Sequence, residues 1–126
     1  MKQIILDTNI ILHAIQFKID LTGELNRILP FQYETCILDK TITELNFLEK
    51  KKDPKTKLLA KIAKHLIKDY KIIVSPKIKV DDSLVILANK DTIVATQDKE
   101  IKKQIKTPII IIRQKTHLEL RNYENY

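Results

Sequence analysis

Five short runs of mostly β-branched, largely apolar residues punctuate the chain, at positions 3–6, 35–38, 71–74, 92–95 and 108–112. Each has the length of a strand and is apolar in succession rather than in alternation, which is the pattern of a strand covered on both faces. Between the runs, apolar residues recur at helical spacing over 10–17, 21–29, 41–51 and 56–70, and again over 82–90 and 99–106. The order β-α-α-β-α-α-β-α-β-α-β predicts an α/β fold: a three-layer α/β/α arrangement around a mostly parallel, roughly five-stranded sheet with right-handed crossovers. No repeat, linker or low-complexity segment interrupts this order, so residues 1–126 are expected to form a single domain. The tail from 115 to 126 is compatible with a short extra strand, a helix or a frayed end.

In such a sheet ligands bind beyond the carboxyl ends of the strands, so the polar residues just after each strand carry most of the functional information. Asp7 ends the first strand, Glu44 is expected in the first turn of the helix after the second, Asp82 opens the helix after the third, and Asp98 follows the fourth. All four would project toward one end of the sheet. Carboxylates gathered there repel one another and resist ionisation unless cations compensate, and hard divalent ions with oxygen ligands are the natural partners. No histidine or cysteine accompanies the acids in sequence, which points away from zinc and toward Mg2+ or Mn2+. Each acid also has a plainer structural reading. Glu44 stands three residues after Thr41, as in a capping box, and Asp81, Asp82 or Asp98 would serve as helix N-caps. Asp7 is the hardest to explain in that way, because it directly follows a buried strand and is followed in turn by Thr8 and Asn9.

Charge refines the choice of partner. Lysine and arginine number 23 against 16 acids, a formal +7. The excess is local: between Lys50 and Lys71 there are nine lysines (50, 51, 52, 55, 57, 61, 64, 68, 71) against Asp53 and Asp69, so this stretch carries +7 and the remainder is neutral. Lys57, Lys61, Lys64, Lys68 and Lys71 recur at spacings of 4, 3, 4 and 3, which puts them on one helix face. Leu58, Leu59, Ile62, Ala63, Leu66 and Ile67 are expected to turn the other way, into the core. A solvated face is the ordinary meaning of such a stripe. This one is almost unopposed by acids, and a phosphate backbone would relieve its self-repulsion, so an RNA-binding surface is the functional reading. Lys50 to Lys52, Lys99, Lys102, Lys103 and Lys106 extend it.

Composition removes other classes. With 44% hydrophobic and 31% charged residues the chain is globular. A single cysteine, Cys36, excludes an internal disulfide or a Cys-rich zinc site and suits the reducing cytoplasm; in an apolar run it reads as an inert core thiol. A single glycine excludes Walker and dinucleotide-binding loops. No apolar run approaches the ~18 residues of a membrane span, and no secretory signal opens the chain. His13, His65 and His117 are far apart and read as surface or helix-face residues. Tyr123 and Tyr126 are compatible with base stacking, though a packed or frayed terminus explains them as well.

The segment Ile4-Ile5-Leu6-Asp7-Thr8-Asn9-Ile10-Ile11-Leu12 resembles the opening motif of PIN-domain ribonucleases. Thr43-Glu44-Leu45, Val80-Asp81-Asp82-Ser83-Leu84 and Val94-Ala95-Thr96-Gln97-Asp98-Lys99-Glu100 resemble the family's second, third and fourth acidic motifs. The ending Ile112-Arg113-Gln114-Lys115 before Leu118-Glu119-Leu120 is more similar to the archaeal rRNA-processing branch than to the shorter VapC toxins. The resemblance implies a metal-dependent endoribonuclease that hydrolyses RNA phosphodiester bonds, in rRNA processing or as a VapC-type toxin. It makes Asp7, Glu44, Asp82 and Asp98 the catalytic ligands of Mg2+ or Mn2+, with Asp98 completing a second ion site or orienting water. Asp82 is preferred to Asp81 because the apolar helix 84–88 follows it at the family's usual offset. Asp81 then joins Thr8, Asn9 and Thr96 as groups that hold the carboxylates in place, and Lys57, Lys61, Lys64 and Lys68 bind RNA. The expected partners are RNA, including rRNA, a second copy of the chain, and a protein inhibitor or antitoxin, with no membrane and a cytoplasmic location. The alternative is a catalytically weak RNA- or ribosome-binding PIN module acting in ribosome assembly. A receiver domain would need a phospho-acceptor aspartate where Ser75-Pro76 stands. A haloacid-dehalogenase-like phosphatase would need a second aspartate where Asn9 stands.

Overall fold

The computed structural model describes residues 1–123; Tyr126, named above for base stacking, lies outside them. In chain order the elements are β1 (Lys2–Leu6), α1 (Thr8–Gln16), α2 (Leu21–Ile28), β2 (Tyr33–Leu38), α3 (Asp39–Glu49), α4 (Pro54–Leu66), β3 (Lys71–Ile73), α5 (Val80–Leu87), β4 (Thr92–Ala95), α6 (Lys99–Gln104), β5 (Ile109–Arg113) and β6 (His117–Arg121). The sheet has six strands in the order β3-β2-β1-β4-β5-β6, all parallel except the antiparallel β5–β6 pair. The expected mostly parallel sheet of roughly five strands is present, with one strand more. The extra strand comes from the tail: Gln114 and Lys115 adopt positive φ in the turn after β5, and Leu118 is then buried. Glu24 and Arg27 of α2 clamp β6, with the Glu24 carboxylate accepting from the Leu118 amide at 2.8 Å and Arg27 donating to the Leu118 carbonyl at 2.8 Å.

The continuous apolar runs mean what their pattern predicts. Ile4 and Leu6 enter one core with α1 to α4, while Ile5 between them enters the other with α5 and α6. Several helices start earlier than their apolar spacing suggests, and at α1 and α4 a capping side chain rather than a core residue sets the start. The Asp7 side chain caps α1, and Asp53 followed by Pro54 caps α4. The chain reverses direction across the sheet at β1, which pairs with β2 on one side and β4 on the other. The carboxyl ends of β1 and β4, where Leu6 lies beside Ala95, therefore flank a switch-point crevice.

The α3–α4 hairpin has an imposed direction. β3 runs parallel to β2 and starts beside Cys36, and only residues 67–70 separate α4 from it. α4 has 13 residues and is about 20 Å long, so it must descend toward the start of β3. α3 accordingly rises from the carboxyl end of β2, leaving the lysine-rich loop 50–53 at the same end of the molecule as the crevice.

Two expectations about α4 are corrected. Its apolar arc is only partly covered: Ala60, Ala63 and Ile67 are buried, whereas Leu58, Ile62 and Leu66 are 58, 42 and 36% exposed. The two small alanines seat the helix closely on its neighbours, and an arc this wide outruns that contact. Nor are the lysines unopposed. The Glu49 carboxylate at the end of α3 accepts from Lys64 Nζ at 2.8 Å, which holds that carboxyl below the usual carboxylate range, with the charges of Lys61 and Lys57 adding to the effect. No helix among the described residues is long and apolar enough to cross a membrane.

Candidate active site

Asp7 anchors the crevice. Its amide donates to the Ala95 carbonyl at 2.9 Å, continuing the β1–β4 ladder one residue past the strand, and this draws the side chain in to 8% exposure. One carboxylate oxygen accepts from the Thr8 amide at 2.8 Å and the other from the Thr96 hydroxyl at 2.7 Å. Thr96 is fully buried and in turn accepts from the Asp98 amide at 3.1 Å. Asn9 Oδ1 accepts from the Gln97 amide at 3.3 Å, and Gln97 Oε1 from the Ile112 amide at 2.7 Å. The loop after β4 is thereby stitched to the ends of both β1 and β5. The Thr8 hydroxyl donates to that of Thr41 at 3.0 Å and ties α1 to α3.

Electrostatics show which acids share this crevice. Burial pushes the Asp7 carboxyl above its ordinary value; the Thr96 and Thr8 hydrogen bonds partly offset this, while the charges of Asp81 and Asp98 add to it. Partial desolvation likewise raises Glu44, followed by the charge of Asp7; a Thr8 hydrogen bond opposes the rise and Asp81 adds to it. Glu44 lies in the second turn of α3 rather than the first, since α3 begins at Asp39. No capping box forms there: the N-cap is Leu38, without a side-chain bond, and the Thr41 hydroxyl faces Thr8 instead.

The third motif differs from the expected arrangement. α5 opens at Val80 on a Lys79 cap, so neither Asp81 nor Asp82 is the cap and both lie in the first turn. Successive helical residues diverge by about 100°. Of the two, Asp81 is the one whose charge acts on Asp7 and Glu44. Asp98 does cap its helix, accepting from the amides of Glu100 at 2.8 Å and Ile101 at 3.3 Å. Among the described residues no three His, Cys, Asp or Glu side chains already close into a group that could hold a metal ion.

Lys57 and Lys61 are exposed on α4, Lys64 is half-buried against Glu49, and Lys68 is exposed just past the helix. Cys36 is buried, its thiol pushed up to about 11 by desolvation, as an inert core thiol requires. Tyr123 packs its ring 5.7 Å from that of Phe31.

Four participants are not singled out by the sequence. Asp39 follows β2 as Asp7 follows β1, but its Oδ1 accepts from the Ser75 amide at 3.0 Å, the Ser75 hydroxyl at 2.5 Å and the Lys40 amide at 2.9 Å. Those bonds, led by Ser75, hold its carboxyl below the usual range and make it a clamp between β2 and the chain after β3. Lys40, Gln97 and Ser83 also fasten loops, and only the position of Asp39 directly after a strand would have signalled any of them.

A family model described as a PIN like domain matches residues 4–115. Ribonuclease VapC4 of Methanocaldococcus jannaschii is 33% identical over 127 residues, covering 95% of this chain and 97% of its own. The solved structure of the PIN domain endonuclease Utp24 matches with a TM-score of 0.77 at 27% identity, across 96% of this chain and 92% of that one. The family match spans most of the chain and the ribonuclease relative is similar from end to end, so the chain belongs to the PIN-domain ribonuclease family.

Proposed function

We propose that this protein is a divalent-metal-dependent endoribonuclease whose ion-binding carboxylates are Asp7, Glu44, Asp81 and Asp98. The observation that carries the reading is Asp7 itself, a buried carboxylate held by Thr8 and Thr96 while the charges of Asp81 and Asp98 bear on it. The ribonuclease and endonuclease relatives support the same chemistry. The donor set fits Mg2+ or Mn2+: every candidate ligand is a carboxylate oxygen, and the charges of neighbouring acids add to the rise of Asp7 and Glu44 in the way a cation would reverse. Asp81 takes the place expected for Asp82, because it is the one that acts on the other acids.

A bound divalent ion makes water nucleophilic and stabilises developing charge at phosphorus. The chain's own residues prepare for this. Thr8 and Thr96 fix both oxygens of Asp7, Asn9 and Gln97 immobilise the loop that carries Asp98, and the Thr8–Thr41 contact sets α3 and hence Glu44. RNA would approach along the α3–α4 hairpin, where Lys50 to Lys52, Lys57, Lys61 and Lys68 are exposed and Lys64 is shared with Glu49. The roles that follow are rRNA processing or VapC-type toxicity, the latter with a protein antitoxin, and a homodimer belongs to the same reading.

One observation favours the non-catalytic alternative of an RNA- or ribosome-binding module: Asp98 is already committed to capping α6, and the acids do not close into a cage. Incubation of a structured, labelled RNA with Mn2+ or Mg2+ separates the two. The nuclease cleaves, Asp7→Asn and Asp81→Asn abolish cleavage, and Asp82→Asn retains most of it. Absence of cleavage with tight RNA binding intact would favour the module, and loss of activity in Asp82→Asn but not Asp81→Asn would overturn the ligand assignment.

A further inference from the structure

The loop between β3 and α5 combines two properties that rarely coincide. It is tied down at several points. Asp39 holds Ser75; the fully buried Ser83 hydroxyl accepts from the Lys77 amide at 3.0 Å and donates to the Lys77 carbonyl at 3.2 Å; and Lys40 Nζ donates to the carbonyls of Lys77, at 2.7 Å, and Ile78. At the tip of this fastened loop, Ile78 is 92% exposed, more than any other large hydrophobic side chain among the described residues. Lys77 and Lys79 flank it, both exposed. A loop without these ties would be free to fold the isoleucine against the surface; here the fastening holds it out in water.

We infer that residues 76–79 form a wedge for an unpaired RNA base, with the Ile78 side chain packing on the base face and Lys77 and Lys79 on the flanking phosphates. This rests on the ribonuclease reading and adds to it the side chains, Ile78 with Lys77 and Lys79, that would engage an unpaired base beside the acids. Position supports it: Ile78 is three residues from Asp81, so the two Cα atoms are at most about 11 Å apart, one or two nucleotides along a strand from the acids. Aliphatic side chains serve as wedges against bases elsewhere, and unpaired RNA bases are the ones free to be splayed onto such a surface. Val74 in the same loop and Ile86 on α5 are exposed as well, but the tip itself is an apolar side chain between two exposed lysines, Lys77 and Lys79, which suits a base between phosphates better than an apolar protein face.

The test is fluorescence anisotropy with a labelled single-stranded oligoribonucleotide and a duplex of the same sequence, in EDTA so that nothing is cleaved. Ile78→Ser is expected to weaken single-strand binding about fivefold and leave duplex binding unchanged, whereas Ile78→Trp tightens the single strand. Lys77→Ala with Lys79→Ala lowers the salt slope on single strands by about 1.4, two phosphates' worth. Because Ile78 is exposed, all variants should melt with the wild type. Wild-type protein that binds and cleaves RNA while both Ile78 variants bind single strands as it does would overturn the wedge alone. Wild-type protein that neither binds RNA in EDTA nor cleaves it with Mn2+ would overturn the ribonuclease reading and the wedge with it. A dimer-to-monomer shift in Ile78→Ser with RNA binding untouched would assign the tip to a contact between copies of the chain and likewise overturn the proposal.

Discussion

Thr96→Val tests how Asp7 is held. Valine nearly preserves the volume of this fully buried side chain, so the perturbation is the hydroxyl alone. That hydroxyl donates to the Asp7 carboxylate at 2.7 Å and accepts from the Asp98 amide at 3.1 Å. A hydrogen bond to a charged group contributes about 1.5–3 kcal/mol, and an orphaned amide costs about 1 kcal/mol more, so the variant should be less stable by about 2.5–4 kcal/mol. With an unfolding entropy near 2.1 cal/mol/K per residue, each kcal/mol is worth about 4 °C in a chain of this size, giving a drop in Tm of about 10–15 °C.

The pH dependence has a definite sign. Asp7 sits above its ordinary value, so its ionised form weakens the folded state, and the penalty sets in as pH rises from the ordinary value through the folded one. The Thr96 bond is the largest effect lowering that carboxyl, and removing it deepens the penalty only where Asp7 is charged. The loss of stability should therefore be greatest near neutral pH and shrink in acid. Urea unfolding followed by circular dichroism at about pH 7 and about pH 4 measures both quantities, with unchanged m-values as the check that two states are compared. In an Asp7→Asn background the cost of Thr96→Val should fall by at least about 1 kcal/mol, and Thr96→Ser should restore most of the stability. A Thr96→Val cost below about 0.5 kcal/mol, or one equal at both pH values, would refute the account of how Asp7 is held.

Saturating Mg2+ or Mn2+, at about 100 times Kd, should stabilise the wild type by about 2.7 kcal/mol and leave the melting of Asp7→Asn unmoved; equal shifts in both would place the ion elsewhere. The double reversal Lys57→Glu, Lys61→Glu should weaken RNA binding and flatten its salt dependence, because these two lysines are exposed whereas Lys64 is engaged by Glu49; an unchanged slope would make the face merely solvated. Glu24, held below the usual carboxylate range chiefly by Arg27, contributes stability that is present above the unfolded carboxyl's value and is lost as pH falls through the folded one. The hydrogen-exchange protection of the Leu118 amide, taken relative to the intrinsic rate at each pH, should thus fall in acid, and Glu24→Ala should produce the same loss of protection at neutral pH; protection that persists in both would show that α2 does not secure β6.

Asp7 and Thr96 are legible in the sequence because their signal is positional: polar residues immediately after buried strands end up at the crevice whatever the helices do. Glu44 is legible as an acid but not as to its turn, since α3 begins on Leu38, a cap that leaves no side-chain mark in the sequence. The third acid is ambiguous for a related reason. Asp81 and Asp82 differ by one helical step of about 100°, and which of them faces Asp7 depends on α5 starting after Lys79, again without a capping side chain. β6 leaves only a weak pattern because half of its short alternation, His117, Glu119 and Arg121, is polar, as an edge strand's often is.

The α4 face shows where periodicity stops being informative. Spacing identifies which residues share a side of a helix, but how much of that side is covered depends on the partners' shape. Ala60 and Ala63 allow such close seating that the contact is narrow, and Leu58, Ile62 and Leu66 emerge at its margin. Charge behaves in the same way. The lysine stripe looks unopposed within its own stretch, yet Glu49, fifteen residues before Lys64, returns to it only because α3 and α4 form a hairpin. The local +7 is thus partly neutralised along the hairpin by Glu49, which Lys64 engages directly, while Lys57 and Lys61 stay exposed. On the proposed reading, a polyanion that follows α4 would meet the positive charge of Lys57 and Lys61 apart from the carboxylates, so charge that guides the substrate is separated from the acids that would otherwise repel it.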